Sequence, residues 1–337
     1  MISMKNRVKQ YIASNYHDMF TASGKAKSDS EDIVKKEYKN VGLPRTFYPI
    51  GWKSYLSVIG SFAKANLTIK AESILFIQYP SSWALKYINL AHRRGNKVIV
   101  LIHDLNILRN WDSKEEEEVL KAADVLIVHT PAMKNFLKAK GFGNKSVVLG
   151  CFDYLYGKQA KIPDFNDGIK KVAFTGNLKK SEFIDKVNFE KITLNLYGIG
   201  IEERTLANGV KYIGCFPPDK LAENMNEHFG LVWDGDSVDT CSGQLGEYLK
   251  LIAPHKFSMY LSAGLPVIVW KESALAPLVK EYGIGMIVES LNEMEKKVST
   301  ITEDEYSTMV KNVERIKTKL SNGNFLIKAL KEAESLI

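Results

Sequence analysis

Short runs rich in Val, Ile and Leu alternate with longer stretches of helical period along most of the chain, and one polar segment interrupts the alternation. A parallel strand must be returned to the same edge of its sheet by a crossover, so strand–helix alternation confines the chain to an α/β fold. Before the interruption, strands are predicted over 10–14, 73–79, 97–103, 124–129 and 145–149, with helices over 28–39, 83–94, 113–123 and 131–140. Pro131 stands at a first helical position, where its missing N–H costs nothing. The segment 156–170 carries Pro163 and Gly168, lacks an apolar period and reads as a linker. Beyond it, strands over 171–175, 192–197, 210–213, 230–233, 266–269 and 285–288 alternate with helices over 218–227, 254–263 and 276–281. A helical tail over 303–336 is interrupted at Gly323. The expected architecture is two doubly wound, Rossmann-like domains, 1–160 and 161–318, whose sheets turn their carboxyl ends toward a central cleft. The last stretch, 319–337, is expected as a helix packing back toward the first domain.

A length of 337 residues suits two such domains. The 3 cysteines, Cys151, Cys215 and Cys241, lack paired spacing, which excludes a disulfide framework and a zinc motif and points to a reducing cytoplasm. Apolar runs such as 98–102 fall far short of the ~20 residues that span a bilayer, and the N-terminus has no apolar signal core. The excess of 46 Lys+Arg over 39 Asp+Glu suits anionic ligands or an anionic membrane surface and does not demand nucleic acid. The acidic run 115–118 reads as a solvated helix face.

Ligands of doubly wound sheets bind beyond the carboxyl ends of the strands, and several short motifs fall there. Phe174-Thr175-Gly176-Asn177-Leu178, with Lys179 and Lys180 following, offers a glycine that lets backbone N–H groups approach a phosphate and lysines to neutralise it. An ordinary turn with solvated lysines is the competing reading. Pro254-His255-Lys256-Phe257 opens a helix that ends at Gly264 before Pro266, and a helix N-terminus carrying a lysine suits a diphosphate. Ala22-Ser23-Gly24-Lys25 is a glycine-containing turn opening a helix; it is not a P-loop, because Met19 stands where the first glycine is required. His103-Asp104 ends a strand and could orient an acceptor or take its proton. His129 ends the next strand similarly, while His17, His92 and His228 read as surface or packing residues. Asp234-Gly235-Asp236 has the spacing of a metal-bound diphosphate site but is read as a polar loop, and no metal ligand is assigned.

Taken in order, these motifs resemble those of the GT-B glycosyltransferases, and more narrowly the bacterial glucosyltransferase 3 family that extends sugars on serine-rich adhesins. Enzymes named galactofuranosyltransferases of surface polysaccharides are similar. The similarity runs through 23–26, 102–105, 124–128, 174–178, 230–233 and, most specifically, 255–268. It implies a transferase moving glucose or galactofuranose from a UDP-sugar to a glycan on a glycoprotein or polysaccharide precursor, with no further cofactor. It assigns Gly176, Asn177, Lys180, Tyr197, Pro254, His255, Lys256, Phe257 and Met259 to the nucleotide, Ala22, Ser23, Gly24 and Lys25 to a cover from the first domain, and His103 and Asp104 to the acceptor. Many retaining relatives carry two glutamates eight residues apart, where this chain has Leu251 and Met259. A nucleotide-sugar epimerase and a catalytically silent subunit stay open at this point, as do self-association and peripheral attachment to a membrane.

Overall fold

The computed structural model describes residues 7–16, 22–47, 50–109, 114–142, 145–166, 168–202 and 204–337. The chain divides into two compact units, one formed by 1–149 with 323–337 and the other by 150–322. No helix among the described residues is long and apolar enough to cross a membrane.

In the first unit the strands are β1 (Lys9–Tyr11), β2 (Asn15–Tyr16), β3 (Lys39–Asn40), β4 (Thr46–Phe47), β5 (Ile74–Tyr79), β6 (Lys97–Ile102), β7 (Val125–Val128) and β8 (Ser146–Val148). Six of them form a parallel sheet in the order β3-β1-β5-β6-β7-β8, and β2 pairs with β4 apart from it. Strands β5 and β7 are buried along their whole length, which is why they read as unbroken apolar runs. The crossovers are α1 (Ala22–Val34), α2 (Trp52–Thr68), α3 (Ala84–His92), α4 (Lys114–Ala122) and α5 (Pro131–Ala139). The terminal helix Asn324–Ser335 packs on α1, β7 and β8 through Leu326, Ala329 and Ala333. Its Glu334 accepts from the Tyr38 hydroxyl at 2.6 Å and pairs with Lys9 at 2.7 Å.

The second unit holds β9 (Lys170–Asn177), β10 (Ile192–Ile199), β11 (Val210–Gly214), β12 (Phe229–Val232), β13 (Val267–Trp270) and β14 (Gly285–Val288), all parallel, in the order β11-β10-β9-β12-β13-β14. Its helices are α6 (Pro218–Leu221), α7 (Gly243–Leu249), α8 (His255–Ser262), α9 (Ala276–Tyr282), α10 (Leu291–Thr300) and α11 (Glu303–Ser321). Trp233, Tyr260, Phe174 and Trp270 are buried in its core.

Several expectations shift. The helix expected over 28–39 begins at Ala22 and ends at Val34. The helix expected over 218–227 is a four-residue turn followed by a short 3₁₀ segment, Ala222–Asn224. Helices α2, α7 and α10 have no counterpart in the expected elements. In α2 the apolar residues do recur at helical spacing, but the face it buries is Ser54, Ser57, Val58, Ser61 and Ala65, a stripe that no apolar period reveals. His17 lies outside the described residues.

Candidate functional site

The order of strands in a doubly wound sheet reverses at one place, and loops diverge there to leave a crevice. In the second unit this place lies between β9 and β12. Strand β9 runs out at Gly176 and Asn177, both exposed, with Gly176 at φ 154° and open space where a Cβ would stand. Beside it Gly198 of β10 has φ 141°, and a Cβ there would meet the Gly176 carbonyl oxygen at 1.8 Å. Two glycines therefore let paired strand ends approach without side chains.

Lys256, in the first turn of α8, reaches the ends of the strands on either side of this reversal. Its Nζ donates to the Trp233 carbonyl at 3.3 Å, lies 3.4 Å from the Asp234 carboxylate and stands 4.6 Å from the centre of the Phe174 ring. This ammonium joins the ends of β9 and β12, and its ion pair is long enough to yield to a stronger anion. Below it the Tyr260 hydroxyl receives the Thr175 N–H at 2.8 Å and lies 3.1 Å from the Thr175 hydroxyl, tying α8 to the end of β9. Lys179 and Lys180 are exposed on the 3₁₀ turn after β9. Arg204 braces that turn by donating to the Ser181 carbonyl at 3.1 Å while pairing with Asp185 at 2.9 Å.

In the first unit the reversal lies between β1 and β5. A cavity of about 630 Å³ opens there, lined among others by Ser14, Lys27, Gln78, Tyr55, Trp83 and Tyr87. Gln78 hydrogen-bonds the imidazole Nε2 of His103 through its side-chain oxygen at 2.6 Å, and its amide nitrogen donates to the Lys27 carbonyl at 3.2 Å. With the oxygen of Gln78 facing the ring, Nε2 of His103 is the donor. Asp104 accepts from the Leu105 N–H at 2.9 Å. The loop that follows is pinned by buried Glu116, which accepts from the N–H groups of Asn106 and Ile107 at 2.9 and 2.8 Å. Lys27 donates to the Pro80 carbonyl at 2.5 Å, and burial lowers its pKa to about 8 against the opposing pull of Glu31 and Asp104. The neighbouring His129 bonds the Ile102 carbonyl at 3.0 Å and is pushed down to about 4 by burial, so it stays neutral in the core.

The sequence pattern of the Glucosyltransferase 3-like N-terminal domain matches residues 9–151, and that of the C-terminal domain matches residues 172–333. The chain belongs to the glucosyltransferase 3-like family. It is 31% identical to the Beta-1,6-galactofuranosyltransferase WbbI of Escherichia coli (strain K12) over 92% of this chain and 94% of that protein. It is likewise 31% identical to Glucosyltransferase 3 of Streptococcus gordonii, over 70% of each. Among solved structures, Anabaena Alr3699/HepE in complex with UDP aligns at TM-score 0.61 and 14% identity, covering 98% of this chain and 99% of that one. The fold is therefore that of the GT-B glycosyltransferases, two Rossmann-like domains, and the chain is a glycosyltransferase.

Within this glucosyltransferase 3-like chain, the expected site residues part company. Gly176 and Asn177 end β9, Lys256 on the first turn of α8 reaches the end of β12 and the Phe174 ring of β9, and Lys180 lies on the turn after β9. His255 packs against Phe152 edge-on and against Tyr154 at a tilt, with ring centres 6.1 and 5.1 Å away. Tyr197 does not reach the crevice: it is buried, and its hydroxyl is engaged by Glu227 at 2.7 Å and the Asn224 carbonyl at 3.2 Å. Phe257 and Met259 are buried packing residues on α8. Ala22, Ser23, Gly24 and Lys25 form the first turn of α1 rather than a loop, and Lys25 grips Asp29 at 2.5 and 2.7 Å in a pair largely withdrawn from solvent. The side chains of Ala22 and Ser23 lie outside the described residues. The acidic run is not uniformly solvated, since Glu116 is buried and Glu115 lines the cavity. Asp234 turns to Lys256, whereas Asp236 accepts from the Ser242 hydroxyl.

Lys27, Gln78 and Arg204 escaped the sequence reading. Lys27 lies just beyond the glycine turn on the next helical turn, and its polarity alone does not separate it from a solvated lysine. Gln78 interrupts a buried strand, and a polar residue in an apolar run was the signal available for it.

Proposed function

We propose that this protein transfers a hexose, glucose or galactofuranose, from a UDP-sugar to a hydroxyl of a glycan acceptor. The observation that carries the reading is Lys256 at the point of strand reversal, its ammonium on the Trp233 carbonyl after β12 and over the Phe174 ring of β9, the strand that ends at the open backbone of Gly176. The diphosphate of UDP matches that arrangement: Lys256 and the α8 N-terminus meet its charge, and Lys180 stands on the adjacent turn. As the bond between the sugar C1 and the diphosphate oxygen breaks, negative charge grows on the leaving UDP, and fixed positive groups lower that barrier.

The acceptor sugar occupies the first-unit cavity, where the Tyr55, Trp83 and Tyr87 rings offer apolar faces and Ser14, Gln78 and Lys27 offer hydrogen bonds. As that hydroxyl oxygen bonds to C1 its proton passes to Asp104, which does not line the cavity itself but lies near enough to Lys27 of its wall to act on that ammonium. His103, whose Nε2 proton is held by Gln78, keeps Nδ1 as its proton-accepting nitrogen and is the second group able to take that proton. Positive side chains supply what a cation supplies elsewhere, so turnover without an added metal is part of the reading.

Calorimetry with UDP and a transfer assay test the assignments together. Lys256→Ala should weaken UDP binding by about 1.5–3 kcal/mol, the scale of a charge-assisted hydrogen bond. Asp104→Asn should leave UDP binding intact and depress kcat by roughly 10²–10⁴-fold, as removal of a general base does. Heat with a nicotinamide dinucleotide and none with UDP would overturn the reading.

A further inference from the structure

Helix α2 carries its apolar residues on the wrong side for a core helix. At about 100° per residue, Trp52, Tyr55, Leu56, Ile59, Ala63 and Leu67 fall on one stripe, and buried Ser54, Ser57, Val58, Ser61 and Ala65 fall on the opposite one. The outward stripe is in solvent: Trp52 is 70% exposed, Tyr55 59%, Leu56 54%, Ile59 37% and Leu67 84%. The inward face is small because the backbone packs close, as where Ser61 Oγ accepts from the Leu43 N–H at 3.2 Å. The stripe is about 22 Å long at 1.5 Å per residue.

We propose that this stripe seats the protein on an anionic phospholipid surface. Lys53 and Lys64 stand together on one flank of the stripe, both exposed, and the sequence of α2 contains no Asp or Glu. An apolar stripe with a lysine flank and a tryptophan at its end is the composition that lies in a bilayer interface, with side chains in the acyl boundary and ammonium groups among the phosphates. In an antiparallel two-fold contact with a second copy the lysine flanks would come together with no carboxylate on either helix, whereas an anionic lipid surface meets both lysines with phosphates. The site of attachment adjoins the cavity, whose wall includes Ile50, Ser54, Tyr55 and Val58. The inference does not depend on the transferase reading and is tested without turnover.

The test is cosedimentation with vesicles of phosphatidylglycerol and phosphatidylcholine, set against vesicles of phosphatidylcholine alone. Binding should favour the anionic vesicles and weaken with salt. Leu56→Glu with Leu67→Glu, neither lining the cavity, should reduce it about tenfold or more, and so should Lys53→Glu with Lys64→Glu. Both pairs lie on the exposed surface, and thermal unfolding should leave each variant folded as the parent. The parent failing to sediment with anionic vesicles, or sedimenting equally with neutral ones, overturns the proposal. So does a parent dimer that Leu56→Glu dissociates while no vesicle binding is detected, which would assign the stripe to self-association.

Discussion

The ammonium of Lys27 sits where burial makes a charge expensive, and its low pKa has a consequence for stability. Below pH 8 both folded and unfolded chains hold the proton, and the native state bears the full cost of the buried charge. Between about 8 and the ordinary 10.5 the unfolded chain binds the extra proton, so stability rises with pH across this window. Relative to Lys27→Met, the wild type should gain on the order of 2 kcal/mol between pH 7 and pH 10, measured by urea unfolding of both proteins at each pH. A constant difference would show that Lys27 is solvated in the native state. That such a cation is retained beside Gln78 and Asp104 accords with a place where a polar acceptor binds.

At the scale of elements, α8 and β12 are locked together by a glycine. A Cβ at Gly230 would stand 2.2 Å from the Tyr260 ring, and that ring carries the hydroxyl that ties α8 to Thr175 at the end of β9. Gly230→Ala should therefore cost about 3 kcal/mol, the upper range for overpacking a core. Because the displaced ring is what aligns α8 with β9, UDP affinity should fall along with the melting temperature. Loss of stability with unchanged UDP binding would separate packing from positioning. Glu116 plays a comparable part in the first unit, where a buried carboxylate holds the two N–H groups that shape the loop after Asp104.

At the scale of the molecule, the chain leaves the first unit at residue 149 and returns to it at 323, so that unit is completed only by the last residues of the sequence. The returning helix buries Leu326, Ala329, Leu330 and Ala333, and a Cβ at Gly323 would strike Ile33 at 2.6 Å. Truncation after residue 322 removes these four buried apolar side chains and the acceptor of the Tyr38 hydroxyl. The first unit should lose several kcal/mol while the second, whose core and crevice are made within 150–322, still binds UDP. Proteolysis and calorimetry on the truncated chain check this, and equal loss in both units would show that they do not hold their stability separately.

The sequence by itself determined the parallel α/β character and most strand positions, and it pointed to Gly176 and Lys256, which the fold sets at the end of β9 and on the first turn of α8. These depend on period and on residues whose chemistry is local: a strand buried on both faces must be apolar throughout, and a strand end that approaches a ligand favours glycine. Only the tertiary structure decided which polar residues are reserved for the core. Tyr197 looks like a ligand group in sequence but is held by Glu227, thirty residues away, a partner that packing chooses, whereas the Lys25–Asp29 pair is a local one within α1. Helix α2 has a legible apolar period, but the face by which it packs was illegible for a related reason. Its identity lies in a close-packed face of small residues, and the apolar face that period analysis would turn inward is the one facing solvent, since side-chain size rather than hydrophobicity decided which face the sheet could accept.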